Sequence, residues 1–306
     1  MSNQVQKFTT LTGHHDSVYA LAQGLQPQEV FSAGADGFVV KWNLENAANQ
    51  QTAQGRLIVR IPASAYAICL VPEKNYLVVG QNYKGVHLID LADNKELTSS
   101  SITSSAIFDI LYFKEILFVG CGDGTLSILN ANDLSTIKHL RLSDKSIRCL
   151  AISPILGELA IGYSDSHIRV LDLQTLNVKH EISAHSNSVF SLCYSPDNQY
   201  LLSGSRDAHL KIWLPQQAYA LHQAIVAHLF TINNIVYSPD GQYFATCSKD
   251  KSIKLWRADD AKLLKVIDKS RYAGHGTSVN KLLWSPYFNL LLSCSDDNTI
   301  SAWEIK

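Results

Sequence analysis

The sequence predicts an all-β fold, a seven-bladed β-propeller of four-stranded antiparallel blades whose N-terminal strand completes the last blade. Three observations predict it. Four segments, GHHDSVYALA, AHSNSVFSLC, AHLFTINNIV and GHGTSVNKLL, align without gaps. Each precedes a pair of strand-like runs in which His to turn Asp is 22 residues and Asp to Trp is six: His14/Asp36/Trp42, His185/Asp207/Trp213, His228/Asp250/Trp256 and His275/Asp297/Trp303. Three weaker copies fill the gap, so anchors at 42, 89, 129, 171, 213, 256 and 303 are separated by 47, 40, 42, 42, 43 and 47 residues. A period of roughly 40 to 45 belongs to a four-stranded propeller blade, whereas helical repeats run nearer 34.

The elements follow in order. An extended segment, residues 5–11, precedes the first Gly-His, and the chain ends on the third strand of the seventh copy. The opening segment therefore supplies the missing outer strand of blade seven, a closure that leaves few exposed edges. Pro27, Pro72, Pro154, Pro196, Pro239 and Pro286 each follow the first strand of a repeat. Proline cannot donate to a central ladder and belongs at such turns. In the weak copies the Trp position holds Ile89, Leu129 and Leu171, and the turn position Tyr83, Asp123 and Asp165. Residues 1–306 are thus expected to form one propeller domain.

Composition agrees with a packed, soluble protein. Of 306 residues 46% are hydrophobic and 17% charged, and the formal net charge is −1. No basic run tracks a phosphate backbone, so nucleic acid is a poor candidate partner. Residues 1–10 (MSNQVQKFTT) lack the basic-then-apolar pattern of a secretory leader, and no run approaches a membrane span. Cys69, Cys121, Cys149, Cys193, Cys247 and Cys294 form no C-x-x-C pair and sit mostly in apolar strand-like runs. They read as reduced core residues in the cytoplasm, with neither a disulfide framework nor a metal site.

The Gly-His start, the Ser or Thr of the second strand, the turn Asp and the third-strand Trp together resemble WD40 repeats across the whole chain. The Trp-Asp dipeptide itself is absent: Asn43, Leu214, Arg257 and Glu304 follow the Trp residues. The resemblance implies buried hydrogen-bonded tetrads at His14–Ser32–Asp36–Trp42, His185–Ser203–Asp207–Trp213, His228–Thr246–Asp250–Trp256 and His275–Ser293–Asp297–Trp303. Blades two to four carry Val79, Val119 and Ile161 at the hydroxyl position, so this tetrad cannot form there. Either a permanent partner covers those blades or apolar packing suffices.

A recurring Ser, His and Asp invites a hydrolase reading. One spacing used four times is instead the mark of a structural unit, because an enzyme builds one site with a base and an oxyanion pocket. No phosphate-loop motif occurs, and Gly120, Gly122 and Gly124 read as a turn between strands. No catalytic residue, metal or cofactor is expected.

Function then falls to loops and strand ends positioned by the sheets. On the face that carries the turn Asp, the rim residues of the first strands are Tyr19, Tyr66, Phe108, Arg148, Phe190, Asn233 and Asn280. The residues before the turn position are Ala35, Asn82, Gly122, Ser164, Arg206, Lys249 and Asp296. An aromatic crescent beside a basic arc of Arg148, Arg206 and Lys249 has the composition of interface hot spots. In WD40 proteins equivalent positions contact peptides. Residues 268–274 should extend this face through Arg271 and Tyr272, whereas the polar insertion 46–54 reads as a solvated loop on the opposite face.

The leading expectation is a non-catalytic scaffold, a monomeric propeller that binds a protein or peptide with an apolar anchor and acidic flanks. The alternative is a small-molecule or metal-binding enzyme at the channel mouth. It would need carboxylates, histidines or a metal converging there.

Overall fold

Alternating apolar residues in runs of five to eight make short strands, and the turns between them leave room only for neighbours in sequence to pair. The computed structural model describes residues 4–48 and 52–305. Blade one comprises Val18–Gln23, Glu29–Gly34, Phe38–Asn43 and Arg56–Arg60. Blade two comprises Ala65–Val71, Tyr76–Gln81, Gly85–Asp90 and Lys95–Ser100. Blades three to six begin at Ile107–Phe113, Ile147–Ser153, Val189–Tyr194 and Ile232–Tyr237, and each repeats the same antiparallel meander.

Blade seven closes the ring. Its strands Val279–Ser285, Leu290–Ser295 and Ile300–Ile305 are joined by Val5–Thr12, antiparallel to the last of them with Val5 opposite Ile305 and Leu11 opposite Ile300. Leu11 is fully buried in this closure, and Lys7 Nζ reaches the Ala273 carbonyl at 2.8 Å.

One expectation is corrected here. Residues 46–54 do not form a simple solvated loop. Leu44–Ala48 is a short helix, and Thr52–Gln54 pairs in parallel with Thr10 to Thr12, adding a fifth strand to blade seven. An outer strand has a free row of backbone groups, and a nearby segment satisfies them by pairing. Residues 49–51 lie outside the described residues.

The core lies between blades. Seven apolar clusters correspond to the seven blade–blade interfaces; for example, Val30 and Trp42 meet Leu292 and Ile300, while Phe244 and Trp256 meet Leu202 and Ile212. Small residues allow this approach at one recurring register, Ala33, Gly80, Gly120, Gly162, Gly204, Cys247 and Cys294. A Cβ on Gly204 would lie 2.6 Å from Ile232 Cγ2 of the next blade, so only glycine fits there. All six cysteines are free, and burial pushes the thiols of Cys69, Cys121 and Cys294 up to about 12, which makes them unreactive. No helix among the described residues is long and apolar enough to cross a membrane.

Candidate functional site at the channel mouth

The turns set the top face. The carboxylate of Asp36, Asp123, Asp165, Asp207, Asp250 or Asp297 accepts the backbone N–H two residues on. The residue between adopts positive φ, as at Gly37 (+72°) and Ala208 (+67°). The same carboxylates reach back across the loop. His228 Nδ1 lies 2.9 Å from Asp250, its Nε2 2.8 Å from Thr246 Oγ1, and Trp256 Nε1 donates to that oxygen at 3.0 Å. A carboxylate has no proton to give, so Nδ1–H donates to Asp250 and Nε2 accepts from the threonine hydroxyl. Each link therefore has one donor and one acceptor.

The other three sets have the same geometry. His14, His185 and His275 contact Asp36, Asp207 and Asp297 at 3.0, 3.0 and 2.9 Å, and Ser32, Ser203 and Ser293 at 2.7, 2.7 and 2.9 Å. Trp42, Trp213 and Trp303 donate to those serines at 2.8, 2.9 and 3.1 Å. Burial holds the His14, His185 and His228 rings below the ordinary histidine range, so they stay neutral at pH 7. Burial pushes Asp207, Asp250 and Asp297 up, but the histidine contact and backbone N–H groups outweigh it and hold all three low.

Blades two to four replace the set with other polar contacts, so apolar packing alone does not describe them. In blade four Ser143 stands where the His would, 2.7 Å from Asp165; Arg169 bonds Asp165 at 2.9 Å and Glu181 at 2.7 Å while stacking on Tyr163. In blade three Thr103 donates to Asp123 at 2.9 Å, and in blade two His87 bridges Gln81 and Glu96.

The channel mouth is built by a device repeated in all seven blades. The pairing of first and second strands slips once, between Val18/Ala20, Ala65/Ala67, Ile107/Asp109, Ile147/Cys149, Val189/Ser191, Ile232/Asn234 and Val279/Lys281. The residue skipped in each blade is Tyr19, Tyr66, Phe108, Arg148, Phe190, Asn233 or Asn280. A bulge re-aims its extra side chain, and all seven line one cavity of about 550 Å³.

Five of them touch one another in blade order. Tyr19 and Tyr66 have ring centroids 4.6 Å apart, and Tyr66 stacks on Phe108 at 5.8 Å. The Arg148 guanidinium lies 3.7 Å from the Phe108 centroid and 4.2 Å from that of Phe190. The other two are tied down by their amides. Asn233 donates to Ser278 Oγ and the Val279 carbonyl, and Asn280 to the Val18 carbonyl and Asp296. Deeper in the cavity Asp109 accepts from Leu150 N at 2.9 Å and faces Lys281 Nζ at 3.9 Å. Burial pushes the Asp109 carboxyl up, against the pull of Lys281 and the backbone N–H groups of Leu150 and Ile110.

The remaining residues expected at this site stand apart from the cavity. Arg206 and Lys249 are exposed beside the turns of blades five and six. Their backbone N–H groups bond the Ser188 and Thr231 carbonyls, fixing the loops. Arg271 and Tyr272 sit in the short helix Lys269–Tyr272, capped by Asp268. Arg271 faces that Asp268 at 3.7 Å, and Tyr272 packs on the core between blades six and seven, so neither joins the mouth.

Sequence reasoning missed four residues. Asp109 and Lys281 directly follow bulged residues and also line the cavity. Leu229 and Phe230, 83% and 59% exposed, follow His228 on the top face, where the other strong repeats are mostly polar. That contrast was present in the AHLFTINNIV segment. Among the described residues no group of three or more His, Cys, Asp or Glu side chains is arranged to hold a metal.

Comparison with known proteins bears on this ring as a whole. The chain is 26% identical to human Striatin-3 over 205 residues, 67% of this chain and 21% of the relative. It is 22% identical to Protein groucho of Drosophila melanogaster over 204 residues, 65% of this chain and 28% of the relative. It thus spans about a quarter of the length of these relatives. The WD40 β-propeller domain of Doa1 superposes with a TM-score of 0.83 at 17% identity, covering 99% of this chain and 97% of that one. The model of the WD domain, G-beta repeat, matches residues 5–43, 176–213, 220–257 and 267–304, half of the sequence, and the chain is a member of the WD40 repeat family.

Proposed function

We propose that this protein is a non-catalytic platform for protein–protein interaction, its partner seated over the channel mouth on the top face. The observation that carries the reading is the bulge repeated in seven blades, which turns Tyr19, Tyr66, Phe108, Arg148 and Phe190 toward one cavity. Bulges interrupt ladder pairing, and a ring that repeats one at every mouth position gains presentation of side chains. Aromatic residues and Arg are the types that dominate binding energy at interfaces. Exposed Leu229 and Phe230 add apolar surface, and Arg206 and Lys249 favour a partner with acidic flanks around an apolar anchor.

The enzymatic alternative has less support. Asp109 is the one acid among the described residues lining the cavity, and it already serves Leu150 N–H and Lys281. The six free cysteines favour work in a reducing cytoplasm.

The test is capture of partners by purified wild-type protein and by the Phe190→Ala/Arg206→Ala double variant. Loss of a central aromatic and a rim cation should weaken binding at least about tenfold, about 1.4 kcal/mol. Unchanged capture by a folded double variant refutes the reading.

A further inference from the structure

We propose that the channel mouth is a carboxylate receptor, in which the free edge of the Arg148 guanidinium takes the two oxygens of one carboxylate presented by the partner. The proposal rests on the top-face reading above and names what that face recognises.

The guanidinium carbon lies over the face of two rings, 3.7 Å from the Phe108 centroid and 4.2 Å from that of Phe190. Attraction to ring faces supplies no hydrogen-bond acceptor to the guanidinium N–H groups. Among the described residues none accepts a hydrogen bond from Arg148 or pairs with its charge, and its Nε–H is buried without an acceptor. The side chain is half-buried, so the rest of that edge faces the cavity it lines. Asp109, the acid within the same cavity, is held by Leu150 N–H and Lys281. Burial pushes Arg148 down to about 10, in keeping with a desolvated cation that lacks a counter-charge.

These features select the ligand. A planar fork of N–H donors matches a carboxylate in two parallel bonds. The charge has already lost much of its water and rotamer freedom in the free protein, so an incoming anion gains from a preorganised partner. A single free cation suits a singly charged group, whereas phosphate-bearing motifs are taken by clusters of arginines. The Tyr19, Tyr66 and Phe108 rings beside it supply apolar surface for a neighbouring side chain. The carboxylate can come from an Asp or Glu side chain or from a chain terminus.

The experiment uses the full chain labelled with ¹⁵N-arginine and two pairs of probes. One pair is acetyl-Phe-Asp-Phe-amide and its Asn analogue; the other is acetyl-Phe-Phe-Gly with a free and with an amidated terminus. Affinity is read by calorimetry and the Arg148 Nε–Hε resonance by NMR. At least one carboxylate probe should bind about tenfold or more tighter than its amide partner and shift that resonance saturably. The responding pair names the source. Arg148→Gln should abolish the preference, and Arg148→Lys, which keeps charge without the fork, should retain only part of it. Equal binding within both pairs on the wild-type protein overturns the proposal whether or not the variants fold. Equal binding with partner capture still lost in the Phe190→Ala/Arg206→Ala variant removes the receptor and leaves the platform. A carboxylate preference with capture intact in that variant removes the platform on this face.

Discussion

Replacing Thr246 by Val strips one oxygen from the middle of a four-residue relay without changing side-chain shape. Thr246 is fully buried in the second strand of blade six, with His228 and Trp256 2% and 3% exposed beside it. The hydroxyl accepts from Trp256 at 3.0 Å and donates to His228 Nε2 at 2.8 Å. Its loss strands one buried donor, the indole N–H, and one buried acceptor, the imidazole nitrogen. Each stranded group costs about 1–3 kcal/mol, so the variant should lose about 2–6 kcal/mol. For a chain of this size that is a fall in Tm of about 3–9 °C. Val is β-branched like Thr, so strand propensity does not contribute. Val already occupies this register in blades two and three as Val79 and Val119, so the backbone accepts it. Urea unfolding of Thr246→Val, with Val79→Thr as the control, gives the measurement. The control inserts a hydroxyl at a buried position opposite His87, whose ring already bonds Gln81 and Glu96, and with no Trp to donate to it the variant should also destabilise. A Thr246→Val loss below about 0.5 kcal/mol, within the range of neutral surface changes, would refute the claim that these relays carry stability.

Two further outcomes follow from the turns and the histidines. Ala208 holds φ at +67° in the turn of blade five, a strained region for a residue with Cβ, so Ala208→Gly should stabilise by about 0.5–1 kcal/mol in the same unfolding assay; a destabilised variant would contradict the turn assignment. The pKa values of His14, His185 and His228 are depressed in the folded state by burial, so the unfolded chain binds more protons once the pH falls below about 6.5. Stability is therefore fully present above that pH and lost on acidification. The depressed Asp207, Asp250 and Asp297 carboxyls, low chiefly through their histidine and backbone contacts despite burial, extend the loss below about pH 3.9. Unfolding free energy measured from pH 7 to 5 should fall, with a slope approaching about 1.4 kcal/mol per pH unit for each proton taken up; a flat or rising profile would contradict neutral buried histidines.

The ring and its tetrads were legible because they depend on spacing within one repeat. His, Asp and Trp meet through hairpin turns of fixed length, so 22 and six residues translate directly into contact. The mouth was legible in part, since blade order places Tyr19 beside Tyr66 and Phe108 beside Arg148. The bulges were not, because a bulge is a relation between two strands and leaves no composition mark when the skipped residue is Tyr in one blade and Asn in another. The same slip turns the following residue inward, which is why Asp109 and Lys281 were overlooked. Arg271 and Tyr272 were expected to extend the top face; Arg271 faces the capping Asp268 and Tyr272 packs on the blade six–seven core, so neither lines the cavity. The substitute network in blade four was within reach. Ser143 lies 22 residues before Asp165, the spacing of every tetrad His, and Arg169 is in the adjacent strand. Pairing of Thr52–Gln54 with the closing strand joins two distant stretches of chain, which periodicity cannot reveal.

The central claim is that partners engage the bulged mouth on the top face. A photo-crosslinking residue placed at Phe190 in the mouth, and separately at Phe288 in the turn between the first two strands of blade seven on the opposite face, tests it within the cell of origin. Phe288 is 67% exposed, so both positions can report a neighbour. The account predicts a discrete crosslinked partner from position 190 that is lost when Arg206 is also changed to Ala, and none from position 288. A discrete partner from 288 with nothing from 190 would contradict it.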